Sequence, residues 1–276
     1  MSIIEKALNR GQNRPRAHDD ESRSDDRHQS SARPVSDSLV IDRRQLRANG
    51  LWPTSDMEHQ LAGEYQRIKR PIVRNALGQS ADSVPRGNLL AVTSSLDGEG
   101  KTFTAINLAV AISEEFDCEA LLVDADVIRR TTSSTLGVED RLGLTDVLID
   151  SSLDLEDVIL STNIPGLSVV PAGQTHSRSA ELVSSTRQRD LMDRLAHEHP
   201  HRLVVFDTPP ILLAAEAASV VDLAGQVALV VKAGGTQQSA VLRALEHVDT
   251  SKPVNLILNQ TRGAQRGYYY GGYYGY

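Results

Sequence analysis

The chain has 276 residues, 40% of them hydrophobic, which suits one α/β domain of ordinary size with appendages. Its formal net charge of −7 argues against bulk nucleic-acid binding. The single cysteine, Cys118, excludes an internal disulfide framework and fits a reducing compartment.

No run approaches the ~20 apolar residues that span a bilayer, and the opening Met1-Ser-Ile-Ile-Glu-Lys6 lacks a signal-peptide core. The expectation is a cytoplasmic protein, peripheral to a membrane only through a partner. Residues 2–9 carry Ile3, Ile4 and Leu8 on one side of a short helix, which is too short to be stable alone; a frayed terminus fits equally well. Residues 10–50 are rich in Arg, Asp, Ser, Gln and His. Such a composition buries too little surface to offset chain entropy, so 1–54 is expected to be largely disordered.

Ser55-Asp-Met-Glu58 has the spacing of a capping box, and Leu61, Tyr65, Ile68 and Ile72 then form one apolar stripe. A helix is predicted over 56–70, with Glu64, Arg67 and Arg70 beside the stripe. Pro71 should end or kink it, because proline removes a backbone donor and crowds the preceding turn.

A βα alternation follows, so 55–262 forms one domain. Apolar strands are predicted at Leu89–Thr93, Ala120–Asp124, Leu167–Val170, Leu203–Asp207, Val227–Val231 and Val254–Leu258. Helical patterns lie near Thr102–Glu114, Ser179–Glu198, Glu216–Leu223 and Ser239–Val248. Strands that are apolar throughout, separated by helices, imply an α/β fold whose mainly parallel sheet is covered on both faces.

The first strand runs into Ser94-Ser-Leu-Asp-Gly-Glu-Gly-Lys-Thr102 and then into a helix, the context of a phosphate-binding P-loop. Gly98 and Gly100 let backbone N–H groups turn inward at a helix N-terminus. Lys101 can reach the β- and γ-phosphates, and the Thr102 hydroxyl can join a Mg²⁺ shell. Ser95 stands where the usual GxxxxGK[ST] pattern begins with glycine, so strand-loop-helix context carries the assignment.

Two further strands end in carboxylates: Asp124 and Asp126 after the second, Asp207 after Leu203-Val-Val-Phe206. Ligands of open parallel sheets bind at that carboxyl edge, where hard oxygens can hold Mg²⁺ beside phosphates. Asp207 is the natural Walker B residue. Asp124 or Asp126 can orient the metal's waters or accept a hydroxyl proton. Arg129 and Arg130 are placed to offset phosphate charge. His197, His199 and His201 alternate around Pro200 without a nearby cysteine, and a solvated helix end accounts for them better than a metal site.

These residues resemble the bacterial tyrosine kinases (BY-kinases) of capsule and exopolysaccharide export, from about Met57 to the C-terminus. Ser94–Thr102 looks like their Walker A, Leu121-Leu-Val-Asp-Ala-Asp126 like Walker A′, and Val204-Val-Phe-Asp-Thr-Pro-Pro210 like Walker B. The opening Met-Ser-Ile-Ile-Glu-Lys-Ala-Leu8 is similar to the exosortase-associated subgroup. The resemblance implies ATP and Mg²⁺ as ligands. It assigns nucleotide binding to Asp97, Gly98, Glu99, Gly100, Lys101, Thr102, Phe103, Arg129 and Asn259, the last against adenine. It assigns metal binding to Thr102, Asp124, Asp126 and Asp207, and catalysis to Lys101 with those three aspartates. Glu64-x-x-Arg67-x-x-Arg70 is similar to the family's ring-building element, implying a homo-oligomer. The family often reads DADLR, whereas here Val127 and Ile128 separate Asp126 from Arg129.

Six of the seven tyrosines, Tyr268, Tyr269, Tyr270, Tyr273, Tyr274 and Tyr276, lie in a glycine-rich tail over 263–276. The resemblance makes them an autophosphorylation cluster, modified largely between subunits. It also implies, as a separate chain, a transmembrane chain-length-determinant (polysaccharide co-polymerase) activator, and a cognate tyrosine phosphatase. Two other functions remain open. One is a ParA/MinD-like ATPase switch, although Leu96 stands where that group carries its signature lysine. The other is a catalytically silent ATP-binding adaptor.

Overall fold

The computed structural model describes residues 38–261. In chain order the elements are α1 (Arg43–Ala48), α2 (Glu58–Ala76), β1 (Leu89–Ser94), α3 (Lys101–Ser113), β2 (Glu119–Asp124), α4 (Thr131–Thr135) and α5 (Leu144–Ile149). They continue with β3 (Leu160–Ser161), β4 (Leu167–Val170), α6 (Ser179–Leu182), α7 (Thr186–Glu198), β5 (Arg202–Asp207), α8 (Ala215–Leu223), β6 (Gln226–Lys232), α9 (Gln238–Glu246) and β7 (Val254–Asn259).

One sheet of order β3-β4-β2-β5-β1-β6-β7 organises them. All pairs are parallel except β3 against β4. The central strands alternate between two separate cores because successive side chains point to opposite faces. Leu89, Ala91, Leu121, Val123, Val204 and Phe206 pack beneath α5 to α9. Leu90, Val92, Ala120, Leu122, Leu203 and Val205 pack beneath α1, α2 and α3. Both faces are covered, which explains why these strands read as unbroken apolar runs.

Three expectations need correction. Residues 38–54 are part of the domain: Leu39 bridges to Thr162, and Ile41, Leu46 and Trp52 are buried in the α2/α3 core. The capping box does not form. Met57, in helical conformation, caps α2 without a side-chain bond, and Glu58 instead accepts from Trp52 Nε1 (3.2 Å) and Arg47 Nη2 (3.1 Å). Nor does Pro71 end α2, which runs five residues further. Pro71 is exposed, so the Arg67 carbonyl left without a donor can face water.

The stripe of α2 is as expected: Tyr65 and Ile72 are buried, Leu61 and Ile68 partly so. Glu64, Arg67 and Arg70 are exposed on its outer side. Lys69 is buried and links α2 to the end of α3, donating to Ala111 O (2.6 Å) and pairing with Glu115 Oε1 (2.8 Å). Among the described residues no helix is long and apolar enough to cross a membrane. The expected N-terminal helix and the tail tyrosines lie outside the described residues.

Candidate active site

The loop between β1 and α3 is shaped by two left-handed glycines, Gly98 (φ 72°) and Gly100 (φ 94°). At Gly100 a β-carbon would also lie 1.9 Å from Asn259 Nδ2. Only glycine satisfies both demands there. α3 starts immediately afterwards and is buried along most of its length, so the loop rests on a fixed helix N-terminus.

Glu99 locks the loop from within. It is 2% exposed; its carboxylate accepts from Leu96 N (2.8 Å) and from the Thr236 hydroxyl. Its side chain is thereby taken up inside the loop, leaving the backbone for the nucleotide-binding role expected of this position. Asn259 Nδ2 donates to Glu99 O (2.9 Å), and Gln260 Nε2 donates to Gly98 O (2.9 Å). The end of β7 and the residue after it therefore clamp two of the loop's carbonyls.

Across the mouth, Asp97 and Arg129 form a bidentate ion pair, with Arg129 Nη2 2.7 Å from Asp97 Oδ2. The Arg129 guanidinium holds the Asp97 carboxyl below the usual carboxylate range. Arg129, expected to face phosphate, is thus already paired with a loop carboxylate. Arg130 turns away, donating to Thr175 Oγ1 (3.1 Å) and to Glu139 O.

The three expected carboxylates do meet at the sheet's carboxyl edge. Asp124 and Asp207 end adjacent strands as register partners, and Asp207 is also opposite Val92 of β1. Asp124 Oδ2 accepts from both Ser133 N and Ser133 Oγ (2.7 Å each), and Oδ1 from Asp126 N (3.3 Å). Asp207 Oδ2 accepts from Thr132 Oγ1 (2.7 Å), whereas Oδ1 is buried with no donor among the described residues. Asp126 Oδ1 accepts from Arg129 N (3.1 Å).

Burial sets their protonation. Asp124 is pushed up to about 7, first by burial and then by the Asp207 charge. Asp207 rises to about 6 by burial, opposed by the neighbouring Thr132 and Thr102 hydroxyls and by Lys101. Burial also raises Asp126, against the pull of Arg129 N, Lys101 and Arg129.

Thr132 and Ser133, the hydroxyls that hold these carboxylates, were missed in the sequence. So were Gln260 and Thr236. A run of Thr-Thr-Ser-Ser directly after the Asp126–Arg130 segment is the one signal available for the first two. A cleft of about 560 Å³ opens beside the loop, lined by Gly98, Gly100, Lys101, Thr102, Phe103, Arg129, Asn259 and Gln260, and also by Gly50 and Leu51.

The arrangement fits a Mg²⁺-bound nucleotide on observations of its own: a glycine cradle that a β-carbon would fill, and a buried, donorless oxygen of Asp207 beside Thr102. Among the described residues no three acidic, histidine or cysteine side chains gather as a metal cage. A cation here would take few protein ligands and complete its shell with phosphate and water, as Mg²⁺ does. Both oxygens of Asp124 accept hydrogen bonds, an arrangement compatible with orienting the metal's waters, the role considered for it from the sequence.

Residues 87–246 match the AAA domain family. Tyrosine-protein kinase YwqD of Bacillus subtilis is 35% identical over 188 residues, covering 67% of this chain and 76% of the relative. The kinase domain of Escherichia coli tyrosine kinase ETK superposes with a TM-score of 0.62 at 26% identity, over 75% of this chain and 80% of that one. The septum site-determining protein MinD of Pyrococcus horikoshii shares the fold, at 24% identity and a TM-score of 0.51, over 61% of this chain and 68% of that one.

Proposed function

Since the chain belongs to the bacterial tyrosine kinases, on an AAA-domain core, we propose that it is an autokinase acting on its own tyrosine tail. It takes the γ-phosphoryl group of Mg·ATP and transfers it to Tyr268, Tyr269, Tyr270, Tyr273, Tyr274 and Tyr276, largely between neighbouring subunits. The output is control of exopolysaccharide polymerisation and export, through a separate transmembrane co-polymerase activator. A tyrosine phosphatase resets it. The observation that carries the reading is the convergence of the Lys101–Thr102 loop with Asp124, Asp126 and Asp207 on three adjacent strand ends.

The residues divide the chemistry. The loop N–H groups and Lys101 bind the phosphates and neutralise charge on the transferring group. Thr102 and Asp207 hold the metal, directly or through water. Bound Mg²⁺ supplies Lewis-acid charge on the phosphate oxygens. A tyrosine oxygen forms the new P–O bond as the bond to the β-phosphate breaks and ADP leaves. The phenol proton needs a base, because an unperturbed tyrosine, with a pKa of about 10, is almost wholly protonated at neutral pH. Of the Asp124/Asp126 pair, Asp126 suits that task better: Asp124 is fully buried and held by Ser133, while Asp126 retains 5% exposure. Asp124 then orients the Thr132–Ser133 segment against Asp207.

Intact-protein mass spectrometry of phosphatase-treated full-length chain with Mg·ATP tests the reading. Phosphates on Tyr268–Tyr276 in wild type, absent in Lys101→Met, are the expected result. No phosphate even with an activator's cytoplasmic segment present would overturn the autokinase reading and leave the ATPase switch.

A further inference from the structure

The segment ahead of α2 reaches the nucleotide cleft. It starts at the β3 edge, where Leu39 N donates to Ser161 O (2.8 Å) and Ile41 N to Asn163 Oδ1 (2.8 Å). It passes through α1, whose Leu46 is 1% exposed, and turns at Asn49–Leu51. Gly50 takes φ 70° there, and Leu51 N donates back to Leu46 O (2.8 Å). The turn is fastened from both sides. Asn107 of α3 donates to Leu51 O (3.0 Å) while also donating to Phe103 O (2.7 Å). Beyond it, Arg47 Nε donates to Pro53 O (2.8 Å), and both Arg47 and Trp52 bond to Glu58, the first residue of α2. These are the contacts of a built element.

The tip of this strap, Gly50–Leu51, lines the same cleft as Lys101, Thr102, Asn259 and Gln260. Charged and glycine groups of the P-loop account for the phosphate end. The strap brings only a glycine and an apolar side chain, which offer nothing to a phosphate but can pack against a flat, weakly polar ring. We propose that Gly50–Leu51 is the wall on which the base and sugar of the bound nucleotide rest, making residues 38–53 a nucleotide-positioning element. This rests on reading the cleft as the ATP site. It also gives Asn107 a second task, since it holds the strap to the helix that begins in the P-loop.

The test uses the full chain and two probes, Mg·ADP and Mg·tripolyphosphate, the second having phosphates but no base or sugar. Leu51→Ala should weaken ADP roughly five- to tenfold by calorimetry, the loss of one packed apolar contact, with tripolyphosphate unchanged. The proposal is overturned if Leu51→Ala keeps ADP affinity within about twofold, or if both ligands weaken alike. Wild type that binds neither probe would instead remove the nucleotide reading of the cleft, and the strap's role with it.

Discussion

Asp124 and Asp207 are register partners on adjacent parallel strands, both buried, with Asp124 tied to Ser133 and Asp207 to Thr132. Both carboxyls are raised, to about 7 and about 6, so the folded chain holds protons that the unfolded chain has released. For raised carboxylates the sign is fixed: their contribution to stability is greatest at acidic pH and falls as pH rises from the unfolded value of 3.8 through the folded values. A cation and its phosphates demand the ionised forms. Nucleotide binding should therefore release protons, and Mg·ADP affinity should increase as pH rises from about 5.5 to 7.5. Calorimetry in two buffers of different ionisation enthalpy reads the proton count. Asp207→Asn should raise the melting temperature of the free protein, on the order of 2 kcal/mol in stability, while abolishing the Mg²⁺-dependent part of binding.

The two P-loop glycines should differ. Gly98 has open space where a β-carbon would go, so Gly98→Ala meets only the left-handed backbone, at about 1–2 kcal/mol. At Gly100 the added carbon would also run into the Asn259 amide that clamps Glu99 O. Gly100→Ala should therefore cost more than Gly98→Ala, in ADP affinity by calorimetry and in stability by thermal melts. Equal losses would mean that the Asn259 clamp does not shape the loop.

Helix α2 carries two basic groups with opposite consequences. Lys69, 2% exposed, bonds the Ala111 carbonyl and Glu115. Lys69→Met strands a buried acceptor and should cost about 1–3 kcal/mol in denaturant unfolding, discounted because Glu115 is 41% exposed. Arg67 and Arg70 are exposed, and replacing both with Ala should change stability by less than about 0.5 kcal/mol. If they build the proposed ring, the same double variant should lose its oligomer in sedimentation velocity.

The inner parallel strands were legible because they are buried on both faces, and an apolar run such as Leu121-Leu-Val123 has few other readings; β7, at the edge with Leu256 and Leu258 exposed, is apolar all the same. The aspartates were legible through their place after those runs. What failed was local. Ser179–Glu198 reads as one helical stretch, yet Ser185 caps a new helix by accepting from Gln188 N. The strap was lost in an average: Ile41, Leu46 and Trp52 suffice to anchor it, but they are diluted among arginines and aspartates, so composition spoke for disorder. Thr132 and Ser133 act by position in three dimensions, which no spacing announces.

The tail supplies the last prediction. Each phosphotyrosine adds roughly −1.5 to −2 charges, so six add on the order of −10 to a chain already at −7. Like charges brought together around a ring repel, and that repulsion grows with every transfer. In the proposed ring, the exposed Glu64, Arg67 and Arg70 would make polar contacts of the kind such repulsion can overcome. Phosphorylation should therefore disassemble the proposed oligomer, with the effect weakened at high salt as the Debye length shrinks from about 10 Å to 3 Å. Sedimentation with and without Mg·ATP, in wild type and in a chain with all six tail tyrosines changed to Phe, separates charge from nucleotide. ATP should dissociate only the wild type, and equal behaviour of the two would remove the charge switch while leaving the kinase intact.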